Sequence, residues 1–185
     1  GLTAALAAAD AGATVAVHEK ADQLGGTTAL SSGVAWLPAN RYAAAAGLDD
    51  SVDAGIAYLD ALSNGMIRPE MARAFVTAVE PMLDWFTTST PLRMRLVPGY
   101  PDYHPEFPGG RPQGGRSVEP ELFDFGELGG WADTIFGMPR RMYVSESPIG
   151  GGSGFLTPGK ERERAAANLE GLGRALLAGL LKGLL

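Results

Sequence analysis

The sequence predicts an α/β fold that opens with a helix and a buried strand and continues into a helical, loop-rich insertion. An alanine- and leucine-rich helix with one apolar face ends at Gly12. The β-branched run 13–17 follows at once and is typical of a buried parallel strand. A segment rich in glycine and hydroxyl side chains, 25–33, comes soon afterwards. Together these three observations predict half of a β-α-β unit.

Composition and charge limit the class of protein. Of the 185 residues, 45% are hydrophobic and 19% are charged, which is typical of a globular chain with a packed core. The formal net charge of −6 argues against a nucleic-acid partner, because affinity for a phosphate backbone comes from clustered Lys and Arg. The sequence has no Cys, which excludes thiolate metal sites and Cys nucleophiles, and we predict no metal site. No apolar run is long enough to predict a membrane span, and we expect a cytoplasmic protein.

The acidic residue after the predicted strand is a candidate ribose ligand. In a dinucleotide-binding β-α-β unit, the last Gly of G-x-G-x-x-G lets the helix approach the strand, and an acid about 20 residues later binds the ribose hydroxyls. Gly1 can be that last glycine, and Glu19 lies 18 residues beyond it. The same pattern also fits a helix and a core strand that bind no ligand.

The glycine- and hydroxyl-rich segment 25–33 is a candidate phosphate-binding segment. Glycines without a Cβ allow backbone amides to approach an anion, and neutral Thr and Ser hydroxyls add hydrogen-bond donors. A loop without a ligand can have the same composition, and that alternative stays open.

Two helices are predicted in the middle of the chain. The first is capped at Asp50-Ser51, carries an apolar stripe and ends at Asn64-Gly65. The second runs from Pro69 to about Thr88, with a kink expected at Pro81. A last helix is expected to begin in the alternating charge run 160–164.

The segment 97–112 is too rich in Pro and Gly for a regular helix or central strand. It nevertheless carries aromatic and ionisable side chains, among them Tyr100, Tyr103 and His104. Long ordered loops of this kind frequently form the lid or wall of a ligand pocket. A structural wrap around the core is the alternative.

Four motifs carry a resemblance to a known family. In chain order they are Gly1-Leu2-Thr3-Ala4-Ala5, Val17-His18-Glu19-Lys20, Leu24-Gly25-Gly26-Thr27-Thr28-Ala29-x-Ser31-x-Gly33 and Trp36-x-Pro38-x-Asn40. This order resembles the FAD-dependent flavoproteins of the fumarate reductase and 3-ketosteroid dehydrogenase superfamily, and most of all the 3-ketosteroid delta-1-dehydrogenase branch. Ser32 stands where the family usually has glycine. A partial match to the family's Gly-Gly-Arg-Ala-Leu helix lies at Gly171-Leu172-Gly173-Arg174-Ala175-Leu176, where Leu172 takes the place of the first glycine.

The resemblance implies a partial Rossmann-like FAD-binding domain of the three-layer β/β/α type, with the start of an α+β substrate-binding insertion. It implies FAD as the cofactor. The residues that it assigns to the cofactor are Gly1, Glu19, Lys20, Gly25, Gly26, Thr27, Thr28, Ser31 and Gly33. Pro101-Asp102-Tyr103 is similar to the stretch that gives the family one catalytic tyrosine, so Tyr103 is the implied catalytic residue.

The implied function is oxidation of a small hydrophobic ketone, possibly a steroid, with hydride passing to FAD. A fumarate or succinate-type flavoprotein reductase and a non-catalytic α/β interaction domain are the alternatives. The electron acceptor is not predicted.

Three regions are predicted along the chain. Residues 1–48 form part of the FAD-binding domain, 49–164 form the helical, loop-rich substrate (catalytic) region, and 165–185 form a helix that returns to the FAD domain. We expect a fragment truncated at both ends, because the first motif opens at its third glycine and the family's other catalytic tyrosines lie further toward the C-terminus.

Overall fold

The computed structural model describes residues 1–185 as a mixture of helices and short strands. The α-helices are α1 (Leu2–Asp10), α2 (Gly26–Leu30), α3 (Arg41–Ala45), α4 (Val52–Ser63), α5 (Pro69–Thr77), α6 (Val79–Ser89), α7 (Pro158–Ala166) and α8 (Leu172–Leu184). The strands are β1 (Ala35–Trp36), β2 (Met94–Leu96), β3 (Ser117–Pro120), β4 (Phe123–Asp124) and β5 (Leu169–Glu170). Three 3-10 turns span Phe125–Thr134, Val144–Glu146 and Pro148–Gly150. The predicted combination of helix and strand is confirmed in this coarse form.

The strands form two small sheets. One has three strands in the order β1-β3-β2, and the other pairs β4 with β5. In the first sheet β1 and β3 are antiparallel, with Ala35 opposite Val118 and Trp36 opposite Ser117. No helix is both long and apolar enough to cross a bilayer.

The chain divides into two compact units. Unit one comprises 1–34, 86–94 and 119–185, and unit two comprises 35–85 and 95–118. The two units are defined by how the chain packs, whereas the predicted boundaries after residues 48 and 164 separate regions by their expected function. Those boundaries therefore stay a prediction.

Helix α8 forms the centre of unit one. Its buried face includes Leu177 and Leu181, and it packs against α1 and α2. Gly179 allows close approach to Leu92, since a Cβ there would lie 2.6 Å from the Leu92 Cβ. The glycine and leucine pattern of this helix therefore serves packing inside the unit.

The predicted strand 13–17 is wrong for this chain. Residues 11–20 are exposed, and none of 13–17 belongs to a strand. A strand requires a neighbour that accepts and donates backbone hydrogen bonds, and no part of residues 1–185 takes that place beside this segment. Hydrophobic and β-branched character alone does not define the element.

Helix α4 confirms the prediction at both ends. The Ser51 hydroxyl accepts the amide hydrogen of Ala54, and Asn64 ends the helix in the left-handed conformation with φ 48°. Asp50 does not cap this helix.

The second predicted helix is divided in two. The chain breaks between α5 and α6 at Ala78, not at Pro81. Pro81 lies in the first turn of α6. Amides in the first turn have no acceptor within the helix, so the amide hydrogen that proline lacks is not needed there, and the helix breaks before Pro81.

The predicted last helix is also two helices. Asn168 has φ 52°, and the short strand β5 separates α7 from α8. A left-handed residue ends a helix because its carbonyl no longer points along the axis.

Candidate functional site

The segment 25–33 begins with a short helix that leaves its N-terminal residues exposed. Gly25 is the N-cap of α2 with φ 113°, and Gly26 begins the helix with φ 47°. Gly26, Thr27 and Thr28 are exposed. The first amides of a helix have no acceptor within it, so N–H groups and hydroxyls lie together at this exposed end.

The glycines of this segment differ in what surrounds them. A Cβ on Gly26 would meet nothing within 4 Å, so open space lies beside its backbone. A Cβ on Gly25 would lie 2.5 Å from Leu177 Cδ2, and one on Gly33 would lie 2.7 Å from the backbone carbon of Leu172. Gly25 and Gly33 therefore allow α8 to approach, whereas Gly26 leaves room for a bound group.

Ser31 connects this segment to the start of α8. Its hydroxyl donates to the Thr28 carbonyl at 2.8 Å and accepts the Gly33 amide hydrogen at 3.0 Å. Its carbonyl accepts the Gly173 amide hydrogen at 3.0 Å. Ser31 thus has a structural role in fixing the segment against the N-terminus of α8.

Leu172 occupies a backbone conformation that favours glycine. Its φ is 58°, in the left-handed region where a side chain is strained. Its side chain is nonetheless buried, at 6% exposure. The departure from the family motif noted in the sequence therefore falls at a position whose geometry suits glycine.

The other predicted cofactor residues lie near the start of unit one. Gly1 is the N-cap of α1, and its carbonyl accepts the Ala5 amide hydrogen at 2.9 Å. Glu19 is exposed, and its Oε1 accepts the amide hydrogens of Lys20 at 2.7 Å and Ala21 at 3.0 Å. The carboxylate thereby orders its own turn, and Lys20 is exposed beside it.

In unit two, the loop that carries Tyr103 is held by a buried carboxylate. Asp102 Oδ1 accepts the Trp36 indole N–H at 2.7 Å, and Oδ2 accepts the Arg111 amide hydrogen at 2.9 Å. The Asp102 amide donates to the Arg111 carbonyl at 3.1 Å. These bonds close the loop at its base and fix the residue before Tyr103.

Arg116 joins Asp102 to a second buried carboxylate. Its Nη1 lies 2.9 Å from Asp102 Oδ2, and its Nε and Nη2 bind the two oxygens of Asp50 at 2.9 and 2.7 Å. The Arg116 side chain is 1% exposed. Burial acts to raise the pKa of Asp50, but hydrogen bonds from Arg116 and the Ala39 amide outweigh it and lower the pKa.

Asn40 fixes the far end of the same loop. Its amide group donates to the carbonyls of Leu37 at 2.6 Å and Gly115 at 2.7 Å. Its oxygen accepts the Ala43 amide hydrogen at 2.9 Å. The Trp-x-Pro-x-Asn motif therefore anchors the loop, with Trp36 at one end and Asn40 at the other.

Tyr103 is presented to solvent on this anchored backbone. Its ring is 84% exposed. The next residue, His104, donates its amide hydrogen to the Tyr58 hydroxyl at 3.2 Å. Burial, followed by the hydrogen bond with Tyr103, raises the pKa of Tyr100 above its ordinary value.

Sequence reasoning missed the residues that support this loop. Asp50 was expected to help cap α4, yet its carboxylate binds Arg116 and the Ala39 amide. Neither Tyr58 nor Arg116 stood out, because each is isolated in sequence from the loop residues it holds. Tyr58 lies outside the apolar stripe predicted for α4, although it is one of the residues that this helix buries.

These features define a class of protein. Exposed glycine, hydroxyl and first-turn amide groups are of the kind found where proteins bind phosphate groups. A model of the FAD binding domain family matches residues 1–185, and the chain belongs to this family. The predicted cofactor, FAD, is thereby confirmed at the level of the family.

Proteins with a similar sequence carry the names of dehydrogenases that act on cyclic ketones. The chain is 39% identical over 182 residues to a 4-oxocyclohexanecarboxylate 2-dehydrogenase of Sinomonas cyclohexanicum, covering 97% of this chain and 32% of that protein. It is 43% identical over 129 residues to a 3-oxosteroid 1-dehydrogenase of Mycobacterium tuberculosis, covering 70% of this chain and 23% of that protein.

A solved structure has a similar fold. The 3-ketosteroid delta1-dehydrogenase of Sterolibacterium denitrificans, in complex with 1,4-androstadiene-3,17-dione, matches with a TM-score of 0.80 and 28% identity. The match covers 99% of this chain and 36% of that one. The matches thus cover between 23% and 36% of the length of these proteins, and the resemblance seen in the motifs is confirmed.

Proposed function

We propose that the full-length protein is an FAD-dependent dehydrogenase that removes two neighbouring hydrogens next to the ketone of a ring, as in 3-ketosteroid 1,2-dehydrogenation. One observation carries the proposal. In a member of the FAD binding domain family, Tyr103 is 84% exposed on a backbone held on both sides by Asp102 and His104. An exposed aromatic on a fixed backbone is suited to contact a substrate.

The reaction requires a base for the acidic proton beside the carbonyl and a donor to the enolate oxygen. FAD, when bound, supplies the hydride acceptor. We assign the donor role to the Tyr103 hydroxyl. Tyr100 hydrogen-bonds Tyr103, and it is the neighbouring hydroxyl in this proposal.

The predicted FAD residues stay a proposal. We assign the phosphates to Gly26, Thr27 and Thr28, because open space beside Gly26 and two exposed hydroxyls suit an anion. We assign the ribose to Glu19, whose Oε1 alone is engaged by local amides. The proposed FAD-binding residues also include Gly1, Lys20, Gly25, Ser31 and Gly33. The Rossmann-like three-layer arrangement belongs to the same proposal, as does a cytoplasmic location.

The substrate class is a cyclic ketone. The named relatives include dehydrogenases of 3-oxosteroids and of 4-oxocyclohexanecarboxylate, and the two substrates share a ring carbonyl. A dicarboxylate such as fumarate needs cationic groups that can bind it. Near Tyr103, Arg116 is buried in two ion pairs and His104 contacts Glu106, so neither of these two side chains is free to bind a dicarboxylate.

The test uses the purified full-length protein. We expect a flavin absorbance spectrum, either as purified or after reconstitution with FAD. We expect anaerobic bleaching of that spectrum by a 3-ketosteroid or by 4-oxocyclohexanecarboxylate. As the comparison, the enzyme chemically reduced beforehand is mixed with fumarate. Reoxidation by fumarate without bleaching by either ketone would support the reductase, and the absence of any bound flavin would support the interaction domain.

A further inference from the structure

The loop around Tyr103 rests on helix α4, and Tyr58 lies at the contact. Tyr58 is 3% exposed, and its hydroxyl accepts the His104 amide hydrogen at 3.2 Å. The other limb of the loop touches the same stretch of helix, since a Cβ on Gly109 would lie 2.9 Å from the Tyr58 amide nitrogen. Both contacts follow Tyr103 in the chain, so α4 supports the loop on the C-terminal side of Tyr103.

The Tyr58 ring is itself fixed by packing. Its centroid lies 5.5 Å from that of Trp36, and the Arg116 guanidinium carbon lies 5.6 Å from it. Trp36 and Arg116 are the two side chains that bind Asp102. The supports on the two sides of Tyr103 thus belong to one buried cluster.

We propose that Tyr58 is a positioning residue for Tyr103, acting through the His104 amide, while the cluster of Asp50, Arg116, Asp102 and Trp36 holds the other side. Hydrogen bonds on both flanks limit the backbone torsions of Tyr103. Its hydroxyl is then directed before substrate arrives, and less conformational freedom is lost in the transition state. This inference rests on the proposed function and adds a residue that does not itself touch substrate.

The experiment is a double-mutant cycle in the full-length, FAD-loaded protein. The variants are Tyr58→Phe, Tyr103→Phe and the combination of both. Tyr58→Phe keeps the buried ring and removes only the hydroxyl. Ser63→Ala is the matched control, because Ser63 also lies on α4 and its hydroxyl bonds only to the Asp60 carbonyl of the same helix. Flavin content, kcat and KM are measured with a 3-ketosteroid.

We expect Tyr58→Phe to lower kcat about 3- to 10-fold, the range that loss of one neutral hydrogen bond gives. KM and flavin content should stay within about twofold, since no substrate or cofactor contact is removed. In the Tyr103→Phe background, Tyr58→Phe should have no further effect on kcat, because the group that it positions is gone. Ser63→Ala should match the wild type.

Several outcomes would overturn the inference. An unchanged kcat in Tyr58→Phe would do so, and so would an equal loss in both backgrounds, which indicates a general structural role. Loss of flavin would also overturn it. A Tyr103→Phe variant with normal kcat would refute the catalytic role of Tyr103 and the positioning role with it. A wild-type protein that oxidises no ketone would refute the proposed function itself.

Discussion

Two regions of the chain reverse the usual relation between sequence pattern and order. Residues 13–17 have the composition of a core strand, yet they are exposed and belong to no sheet. Residues 97–112 have the composition of an irregular loop, yet the buried Asp102 carboxylate anchors them through Trp36 and the Arg111 amide. The difference lies in partners, because a strand needs a neighbouring strand, whereas a loop can be ordered by side chains from elsewhere.

The largest expected effect concerns the charges that order the loop. Arg116→Met leaves the carboxylates of Asp50 and Asp102 buried without their cation. We expect the free energy of unfolding to fall by about 3–5 kcal/mol, as measured by denaturant or thermal unfolding.

The matched control is Arg68→Met, which removes an exposed ion pair to Glu70 at 3.3 Å. This variant should lose less than about 0.5 kcal/mol. Similar losses in the two variants would show that burial of the Arg116 network is not what orders the loop.

A second prediction concerns the glycine- and hydroxyl-rich segment 25–33. Gly33→Ala places a Cβ 2.7 Å from the Leu172 backbone at φ 69°. We expect a loss of about 2–4 kcal/mol from strain and overlap. Gly26→Ala has φ 47° but open space, so it should lose only about 1 kcal/mol. Equal melting temperatures for the two variants would contradict the packing role given to Gly33.

A third prediction uses pH to test the partly buried carboxylate of Glu146 in unit one, which pairs with Arg164 and Lys160. Partial burial acts to raise the pKa of Glu146, but hydrogen bonds from Arg164 and Lys160 outweigh it and lower the pKa from 4.5 to about 2. A carboxyl with a lowered pKa stabilises the fold above the unfolded pKa and loses that contribution as pH falls. We expect about 2 kcal/mol to be lost between about pH 4.5 and pH 2.

Unfolding curves of wild type and Glu146→Gln across this range provide the measurement. The variant should be less stable at pH 7 and should show a shallower decline as pH falls. A decline of the same steepness in both proteins would rule out Glu146 as its source.

Local signals in the sequence predicted the parts of the fold that depend on neighbours in the chain. Ser51 and Asn64 bound helix α4 as expected, and the Pro- and Gly-rich loop is irregular. The network of Asp50, Asp102 and Arg116 could not be predicted, because these residues are far apart in sequence and follow no periodicity. The prediction of a strand at 13–17 was wrong for a related reason, since a strand forms only where another segment pairs with it.

The candidate site divides in the same way. Motif order pointed to FAD and to Tyr103, because those residues stand in short, recognisable stretches. Tyr58 was hidden, since it lies outside the apolar stripe predicted for α4 and a single tyrosine on a helix carries no sequence signal of its own. Its role depends on one hydrogen bond to the backbone of a distant loop.

We propose that the region around Glu19 binds FAD and that the loop with Tyr103 serves catalysis, and one experiment tests this division most directly. The FAD dissociation constant, and kcat at saturating FAD, are measured for Glu19→Ala and Tyr103→Phe in the full-length protein. Glu19→Ala should weaken FAD binding about 10- to 100-fold and leave kcat near that of the wild type. Tyr103→Phe should keep FAD affinity and lower kcat about 100-fold or more. The division would be contradicted if both variants changed only FAD affinity or both changed only kcat. It would also be contradicted if Glu19→Ala left FAD affinity unchanged and Tyr103→Phe left kcat unchanged.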